Sequence, residues 1–533
     1  MEKHKEIIHS SFWQLLSVYV IFIVAIAFGY MHKYSLHFNI LALIIAFLGV
    51  YSIKKEYIHD LFEDKNLIPK KLHVLIFILS ILLIISFRTI PYIKNGTDIP
   101  IGYDAGLYNY IIEHGFQNMD LWIRTGVEPG FLYFMTFLNS ILNIPSNFLL
   151  IHVFILFNVL LGVSIYFFSK EYFNDDVAIL SILIYSISTI QFEVFTYLYY
   201  KNIIALSLLL FSFYFLKKQN YIAFTILGIL IGITHRPTFY IFGWSFLAYT
   251  LFNSFKKYKF QTKITLINVA SGIIILSISL LFYLGKFKPA IINLISPVLT
   301  SFVDTGTAPG TFVTFLTYQF SILFYLPLSL LGLFLLIKEK KFSIFFFFTI
   351  ITGIIVYFKF FFFNRYIIFL DISLILLAAY GLYFLLKSKK NLAFIFMILL
   401  LSSGLILTFN TAINTKNIIS NEVFDSISNI KLPNPSSSYI ISISSQFSPF
   451  LQGYTGSSIN DRVSYQIIAP GMFDYDVLKT EERWNIFWED LNASEIQDNY
   501  KNSEIYLFTP NGIDTSENIC YTEHLKNLYK WSC

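Results

Sequence analysis

The sequence has little charge and almost no cysteine. Only 13% of its 533 residues are charged, whereas a soluble domain carries about a quarter. A soluble protein of this length is therefore excluded. Cysteine occurs only at Cys520 and Cys533, where a disulfide and two free thiols are both compatible with the sequence.

Several catalytic signatures are also missing. The sequence contains no Walker A motif, no GxGxxG before a helix, no HExxH, no CxxC and no GxSxG. These absences argue against an ATP-driven pump, a dinucleotide enzyme and a zinc protease. No internal repeat of transporter type is visible. No small-residue cleavage site follows the first apolar run, so we expect no removable signal peptide.

Apolar and aromatic residues take the place of charge. Hydrophobic residues make up 56% of the chain and aromatic residues 19%, and the mean hydropathy is +0.63. Such a composition is typical of a protein that crosses the membrane several times. The net charge of +5 does not indicate nucleic acid as a partner, because basic residues in loops set membrane topology.

The apolar runs predict an α-helical polytopic membrane protein with about thirteen transmembrane helices. We place them near residues 11–30, 37–53, 72–91, 148–168, 177–190, 202–216, 220–234, 237–253, 264–284, 316–337, 342–360, 365–385 and 391–410. The run 129–143 is short for a span and has Pro129 and Pro145 at its ends. We interpret it as an interfacial or re-entrant helix.

Basic loops orient these helices in the cell membrane. Lysines cluster near residues 54–55, 70–71, 217–218, 256–259, 338–341 and 387–390. The positive-inside rule places these loops and the N-terminus in the cytoplasm. A first large outer loop, 92–147, then lies outside, as does the polar tail.

The sequence divides into two regions. Residues 1–410 form the membrane domain, and residues 411–533 form an extracytoplasmic domain rich in Ser, Asn and Asp. Short β-like runs at 439–443 and 504–508 alternate with a helix-like run at 476–492, which predicts a small α/β domain.

Asp104 is the most informative residue of the outer loop. It follows the third long apolar run, in the stretch Gly102-Tyr103-Asp104-Ala105-Gly106-Leu107-Tyr108. A carboxylate at the membrane boundary is costly unless it is solvated, paired or functional. One interpretation is an acid-base group. The other is an N-cap for a helix over 105–114 that Gly115 closes.

Further polar residues lie on the predicted outer side. Glu128 is the best second carboxylate. His235 and Arg236 fall at a turn between spans and could bind a phosphate, or Arg236 could extend to lipid headgroups. Lys201, at the start of a span, is open to the same two interpretations. A long outer loop over 285–315 is either a connector or a segment that orders on substrate binding.

Arg365 opens the span 365–385, with Asp371 about two turns further along. An arginine at this depth indicates an anionic ligand or a buried ion pair. The six-residue spacing places Arg365 and Asp371 on different helix faces, so we do not expect them to pair.

This layout resembles the C-type (GT-C) glycosyltransferase superfamily, such as the protein O-mannosyltransferases and the lipid A aminoarabinose transferases. The resemblance rests on the acidic motif from Pro100 to Asp104, the interfacial helix from Pro129 to Asn143, and Arg365-Tyr366 opening a later span. The acidic motif is a single Asp rather than an Asp-Glu pair. The Arg-Tyr element lacks the usual prolines soon after it.

The resemblance implies a hexosyl- or pentosyltransferase. It would move a sugar from a polyprenyl-phosphate donor to an acceptor glycan, lipid or protein outside the membrane. Asp104 would be the general base, with Glu128 as a second catalytic carboxylate. The donor phosphate would bind Arg365, with Arg236, His235 and Lys201 as further candidates. Predicted substrate-loop residues are Tyr103, Tyr108 and Tyr366.

A divalent cation, Mg²⁺ or Mn²⁺, is left open at Asp104, since some relatives use one and others do not. Asp104 alone would be a poor metal site, because a hard cation needs several oxygen ligands.

Two other functions fit the sequence. One is a flippase or transporter for a lipid or polyisoprenoid, with Arg236 and Arg365 contacting the headgroup. The other is a non-catalytic membrane receptor or assembly protein whose tail is the binding module. Replacing Asp104 distinguishes the three functions, because it should abolish sugar transfer, hardly affect a receptor, and affect a flippase only if Asp104 lies in its path.

Overall fold

The computed structural model of the chain describes residues 67–115, 127–255, 259–282, 313–360, 363–388, 390–432, 437–442, 446–455, 466–468, 487, 489–500, 502–513 and 520–533. The described part is mostly helical, and its strands all follow residue 437. The small sheet that the polar tail predicts is therefore present.

Fifteen helices precede this tail among the described residues. They are α1 Lys70–Asn95, α2 Ala105–His114, α3 Pro129–Thr136, α4 Ser146–Tyr172, α5 Asp175–Ser186, α6 Thr189–Thr196, α7 Tyr200–Lys217, α8 Tyr221–Thr234, α9 Arg236–Ser254, α10 Lys259–Leu281, α11 Phe315–Ile322, α12 Leu326–Lys338, α13 Ile344–Tyr357, α14 Phe363–Ser388 and α15 Lys390–Asn414. A π-helical stretch, Phe137–Ile141, continues α3. Capping side chains start several helices: Asn174 accepts a hydrogen bond from the Val177 amide and Asn220 from the Ala223 amide.

Six helices of the described part are long and apolar enough to cross a membrane, or eight if each bent pair is one span. They are α1, α4, α7, α14 and most of α10 and α15, and each coincides with a predicted span. The predicted spans 11–30 and 37–53 lie outside the described residues, so the count of about thirteen is not confirmed. The chain is a membrane protein.

Two predicted spans are broken rather than continuous. The sequence predicts one helix over 316–337, but α11 and α12 meet at 81°. Pro327 lies in the first turn of α12 and has no amide hydrogen, so it interrupts the helix. The predicted span 177–190 becomes α5 and α6, bent by 52°. Ser188 starts the second of these by accepting a hydrogen bond from the Gln191 amide.

Helix α14 lies at the centre of the bundle. In the most apolar 18-residue stretch of α14, 94% is buried by other parts of the protein. The corresponding share is 22% in α10 and in α15. The two outer helices expose large apolar side chains such as Leu266 and Ile406. Lipid tails are as apolar as these side chains, so such surfaces fit a membrane environment.

The C-terminal part is an α/β unit. It consists of α16 Asn421–Ser428, β1 Ser438–Ser442, α17 Ser448–Tyr454, β2 Gln466–Ile468, α18 Ser494–Asn499, β3 Glu504–Phe508, β4 Tyr521–Leu525 and β5 Leu528–Trp531. The sheet order is β2-β1-β3-β5-β4. β1 is parallel to both neighbours, whereas β5 is antiparallel to β3 and β4. The sequence predicts β1 and β3, but most of the predicted helix 476–492 lies outside the described residues.

Cys520 and Cys533 form a disulfide with their Cα atoms 5.1 Å apart. Of the two alternatives that the sequence leaves open for these cysteines, the structure has the disulfide.

Both faces of the central strands β1 and β3 are buried, whereas the edge strand β4 is mostly exposed. Ile440, Tyr506 and Phe508 belong to the same apolar core as the helical bundle. Ile441 and Leu507, which alternate with them along the strands, belong to a second and smaller core. The α/β unit is therefore joined to the bundle through a continuous core.

Candidate functional site

Polar side chains gather where several helices begin. Lys201 is the second residue of α7, Arg236 the first of α9 and Arg365 the third of α14, while Asp104 and Glu128 directly precede α2 and α3. Ion pairs and electrostatic interactions join all five. The structure thus brings together side chains that the sequence assigns to one site. Exposed amides at helix N-termini add partial positive charge to that of the cations.

The backbone at Gly102 positions Asp104. Gly102 has a φ of +123°, which other residues rarely adopt, and a Cβ there would lie 2.6 Å from the Leu198 Cβ. The loop before α2 is therefore packed against the turn between α6 and α7. Because that turn leads into Lys201, the contact brings the cation towards Asp104.

Asp104 stands at the N-cap position of α2 without acting as a cap. Its side chain makes no capping hydrogen bond, so the structure does not support the capping interpretation. Helix α2 ends at His114 as predicted. Gly115 is the C-cap, as predicted, although with a φ of −52° it is right-handed rather than in the left-handed conformation common for a closing glycine.

Glu128 is buried and binds two of the cations. Its Oε2 accepts a hydrogen bond from Lys201 Nζ at 2.7 Å, and its Oε1 accepts one from the Arg236 amide at 3.2 Å and lies 3.5 Å from Arg236 Nε. The Glu128 side chain is 3% exposed, compared with 19% for Lys201 and 24% for Arg236. A Cβ on Gly130 would lie 2.9 Å from the Ile233 carbonyl oxygen. This close approach holds Glu128 beside the start of α9.

The two carboxylates differ in pKa. Burial raises the pKa of Asp104, although Lys201 and Arg365 offset part of this effect. Burial alone would also raise the pKa of Glu128, but Lys201 and Arg236 outweigh it and lower the value to about 2. Glu128 is therefore ionised at neutral pH, whereas Asp104 holds a proton more readily than an ordinary Asp.

His235 is a buried neutral ring in the same site. Burial lowers its pKa to about 3, with the nearby cations acting in the same direction. Its Nδ1 accepts a hydrogen bond from the Thr238 amide at 3.3 Å and lies 2.8 Å from Thr238 Oγ1. This hydrogen bonding assigns the ring proton to Nε2, which can then donate to a ligand.

Aromatic side chains surround the charged groups. Tyr108 is buried, with its ring 5.4 Å from that of Phe131, and its pKa is raised by burial and by both carboxylates. Tyr366 is also buried, whereas Tyr103 is half-buried. Of these three predicted substrate-loop residues, only Tyr103 has substantial exposure.

Sequence reasoning did not single out Tyr199. Burial raises its pKa, Arg365 lowers it, and Asp104 is among the other charges acting on it. Tyr199 therefore lies within the charged site. Its position two residues before Lys201 was the available signal.

Asp371 lies outside this constellation. It is fully buried in α14 and accepts hydrogen bonds from Gln191 at 2.7 Å, from Ser188 at 3.2 Å and from the Tyr325 hydroxyl. These partners do not include Arg365, in agreement with the expectation from spacing. Most of the predicted outer loop 285–315 lies outside the described residues.

The donor set that the described residues supply around Asp104 does not fit a divalent cation. Among the residues that the structure describes, no group of three or more His, Cys, Asp or Glu side chains could hold a metal ion. The charges acting most strongly on Asp104 are those of Lys201 and Arg365, which would repel a metal ion. Glu128 is already paired with Lys201 and Arg236. A hard cation requires several oxygen ligands, and the described residues do not supply them.

Comparison with known proteins finds a family that matches part of the chain. Residues 127–283 match the family described as dolichyl-phosphate-mannose-protein mannosyltransferase. The matched segment includes Lys201 and Arg236, while Asp104 and Arg365 lie outside it. No curated protein sequence matches the chain.

The fold is similar to that of solved archaeal oligosaccharyltransferases. One is AglB from Archaeoglobus fulgidus in complex with an inhibitory peptide and a dolichol-phosphate: the TM-score is 0.55 at 10% identity, over 82% of this chain and 69% of that chain. Another is the A. fulgidus oligosaccharyltransferase in the apo form, with a TM-score of 0.57 at 11% identity, over 83% of this chain and 70% of that chain. The predicted resemblance to the C-type glycosyltransferase superfamily is confirmed.

Proposed function

We propose that this chain is a membrane glycosyltransferase that moves a sugar from a polyprenyl-phosphate donor to an acceptor on the extracytoplasmic side. The observation that carries the proposal is the meeting of three cations with a carboxylate of raised pKa where several helices begin. The lysine-rich loops support this topology, because the positive-inside rule favours the opposite ends of these helices in the cytoplasm.

The cations suit a lipid-linked phosphate. Lys201, Arg236 and Arg365 outnumber Asp104 and Glu128, and helix N-termini add partial positive charge. A site with this balance stabilises the phosphate as negative charge develops on it. Neutral His235 contributes a hydrogen-bond donor through Nε2 and adds no charge.

Asp104 is the general base of the proposed reaction. The acceptor hydroxyl or amine attacks the anomeric carbon of the donor sugar, and the bond from that carbon to the phosphate oxygen breaks. The bonding pair leaves with the polyprenyl phosphate, and the acceptor proton passes to Asp104. A raised pKa suits this role, because the proton affinity of a base is best matched near the working pH. The rate should rise with pH as Asp104 loses its proton.

Glu128 is better suited to holding the cations than to taking a proton. Its pKa of about 2 makes it a weak base, and both carboxylate oxygens are occupied by Lys201 and Arg236. We therefore assign Glu128 the positioning of those two side chains. Asp104 remains the candidate base.

The test is sugar transfer in membranes from radiolabelled dolichyl-phosphate mannose, the donor that the family description names, followed by other polyprenyl-phosphate sugars. Wild type and Asp104→Asn are compared at matched expression with endogenous acceptors. Losing a general base is expected to reduce transfer by about 10²–10⁴-fold. Asp98→Asn is the matched control, since Asp98 is an exposed carboxylate in the same loop.

Loss of product in Asp104→Asn alone would support Asp104 as the base. Equal transfer by both proteins would remove Asp104 from the mechanism. If wild type transferred no sugar from any donor, the transporter and receptor functions would be favoured instead.

A further inference from the structure

The helix that follows Asp104 packs backbone to backbone against the C-terminal α/β unit. A Cβ on Gly106 would lie 1.9 Å from the Pro449 carbonyl oxygen, and a Cβ on Gly453 would lie 2.0 Å from the Gly106 carbonyl oxygen. In both cases the obstructing atom is backbone, which cannot rotate away. Helices α2 and α17 can therefore approach this closely only because both positions are glycine.

Side chains fix the same contact. Asn109, one turn after Gly106, donates a hydrogen bond to the Gly453 carbonyl oxygen at 2.8 Å. The Tyr454 hydroxyl donates to Asn147 Oδ1 at 2.9 Å, at the start of α4. Asn109 and Tyr454 are both buried. Helix α17 is thus bound to two elements of the bundle.

The sheet directs this helix towards the site. Only five residues, 443–447, separate the end of β1 from the start of α17, so the carboxyl end of β1 faces the bundle. β1 has parallel neighbours on both sides, and ligands of α/β sheets bind at the carboxyl ends of such strands.

We propose that α17 is a positioning element for Asp104, acting through Gly106, Gly453 and Asn109. This inference rests on the proposed function. Asp104 lies two residues before Gly106, at the start of the same helix. A shift of α2 away from α17 would move Asp104 but not Lys201, Arg236 or Arg365, which belong to other helices. The C-terminal unit would therefore set the geometry of proton transfer without contributing to phosphate binding.

The test replaces each glycine by alanine and measures transfer from dolichyl-phosphate mannose at varied donor concentration, with endogenous acceptors. A displacement of about 1 Å can reduce a rate by about 100-fold. We expect Gly106→Ala and Gly453→Ala each to lower turnover at saturating donor by about 10–100-fold, with the apparent donor KM within about 2-fold of wild type. Gly243→Ala is the matched control, because a Cβ there meets no atom within 4 Å.

The double variant is expected to be no slower than the slower single variant, because one separation of α2 from α17 already displaces Asp104. Turnover is expressed per folded molecule, from the monodisperse fraction in gel filtration. Should the alanine variants not fold, Asn109→Ala removes the hydrogen bond to Gly453 without adding an atom, and a roughly 3–10-fold fall in turnover at unchanged KM is expected.

A folded Gly453→Ala with wild-type turnover would overturn the inference and leave the proposed function intact. A variant that raised donor KM at unchanged turnover would also overturn it, since the contact would then serve the phosphate site. If Asn109→Ala is the variant tested, wild-type turnover in it would likewise overturn the inference. Absence of transfer by the wild type would overturn the proposed function and the inference with it.

Discussion

At the scale of single residues, the two carboxylates of the site differ in pKa because their surroundings differ, which is why we propose separate tasks for them. Asp104 is half-buried and has lost part of its water without gaining a direct ion pair among the described contacts, and its pKa is raised. Glu128 has lost water too, but it is bound by two cations and its pKa falls to about 2. Environments that separate two pKa values in this way distinguish a base from a structural anion.

Replacing Glu128 with Gln should weaken donor binding more than turnover. Lys201 and Arg236 would lose the negative charge that orients them, so we expect the apparent donor KM to rise by about 10-fold, equivalent to about 1.4 kcal/mol. Turnover at saturating donor should change by less than about 3-fold. Steady-state transfer at varied donor concentration measures both. A large fall in turnover at unchanged KM would return Glu128 to a catalytic role.

The same variant should alter the acid stability of the protein. The folded-state pKa of Glu128 lies below its ordinary value of 4.5, so its contribution to stability is present above pH 4.5 and is lost as the pH falls towards 2. The Tm of the wild type in detergent should therefore decrease over this window more steeply than that of Glu128→Gln. Glu422→Gln, at an exposed position of α16, is the control. Identical pH dependence in all three proteins would contradict the assignment.

Much of the site was predictable at this scale. Charged residues are unusual at the boundary of an apolar run, because placing a charge there costs free energy. The sequence alone shows three of them, at Asp104, Lys201 and Arg365. The pairing of Glu128 with Lys201 and Arg236 spans 73 and 108 positions, and no local pattern encodes such a contact. Tyr199 was overlooked because tyrosine is common here, with 36 in the chain.

At the scale of helices, hydropathy located the spans but not their breaks. Average hydropathy over a window cannot detect a bend, because α11 and α12 are apolar on both sides of it. Pro327 was the local signal for that bend. For the bend between α5 and α6 the signal was weaker, consisting of Ser188 within an otherwise apolar run. The two breaks are linked in space, since Asp371 accepts hydrogen bonds from Ser188 and from Tyr325.

Asp371 should therefore stabilise both broken spans. In Asp371→Ala the hydroxyls of Ser188 and Tyr325 and the Gln191 amide would be left buried without this acceptor. Each unsatisfied group costs about 1–3 kcal/mol, so we expect a loss of several kcal/mol in the free energy of unfolding. Thermal unfolding in detergent, followed by tryptophan fluorescence, provides the measurement.

Asp175→Ala is the matched control for Asp371→Ala. Asp175 pairs with Lys170 at 2.9 Å on the surface, where their side chains are 34% and 48% exposed. Such surface pairs contribute only about 0–1 kcal/mol. Equal changes in Tm for the two variants would show that the Asp371 hydrogen bonds do not hold the bends.

At the scale of the whole molecule, the α/β unit and the bundle form one structure. The sequence predicts the polar tail and two of its strands, because alternating apolar residues are a local pattern. It does not predict that α17 lies against α2, since Asn109 and the Gly453 carbonyl are 344 positions apart. The only local sign of the contact is the presence of glycine at positions 106 and 453, and glycine occurs in sequences for many other reasons.

The disulfide allows a test of whether the C-terminal α/β unit affects the position of Asp104. Cys520 and Cys533 enclose the β4-β5 hairpin, and closing a loop of this size contributes about 3 kcal/mol. β5 pairs with β3, and at the end of β3 the ring of Phe508 lies 6.0 Å from that of Phe447, directly before α17. A loosened hairpin should therefore displace α17 and, with it, Asp104.

Reduction should make sugar transfer more sensitive to heat. We expect the temperature of half-inactivation to fall by several degrees with reductant, while the double variant Cys520→Ser/Cys533→Ser shows the lower value with or without it. Residual transfer from dolichyl-phosphate mannose after brief heating provides the measurement. If the reductant lowered the value equally in the double variant, the effect would not come from this disulfide. A helix that positions the base cannot unfold without affecting the reaction. If the α/β unit unfolded at a lower temperature while the temperature of half-inactivation stayed the same, α17 would therefore not position Asp104.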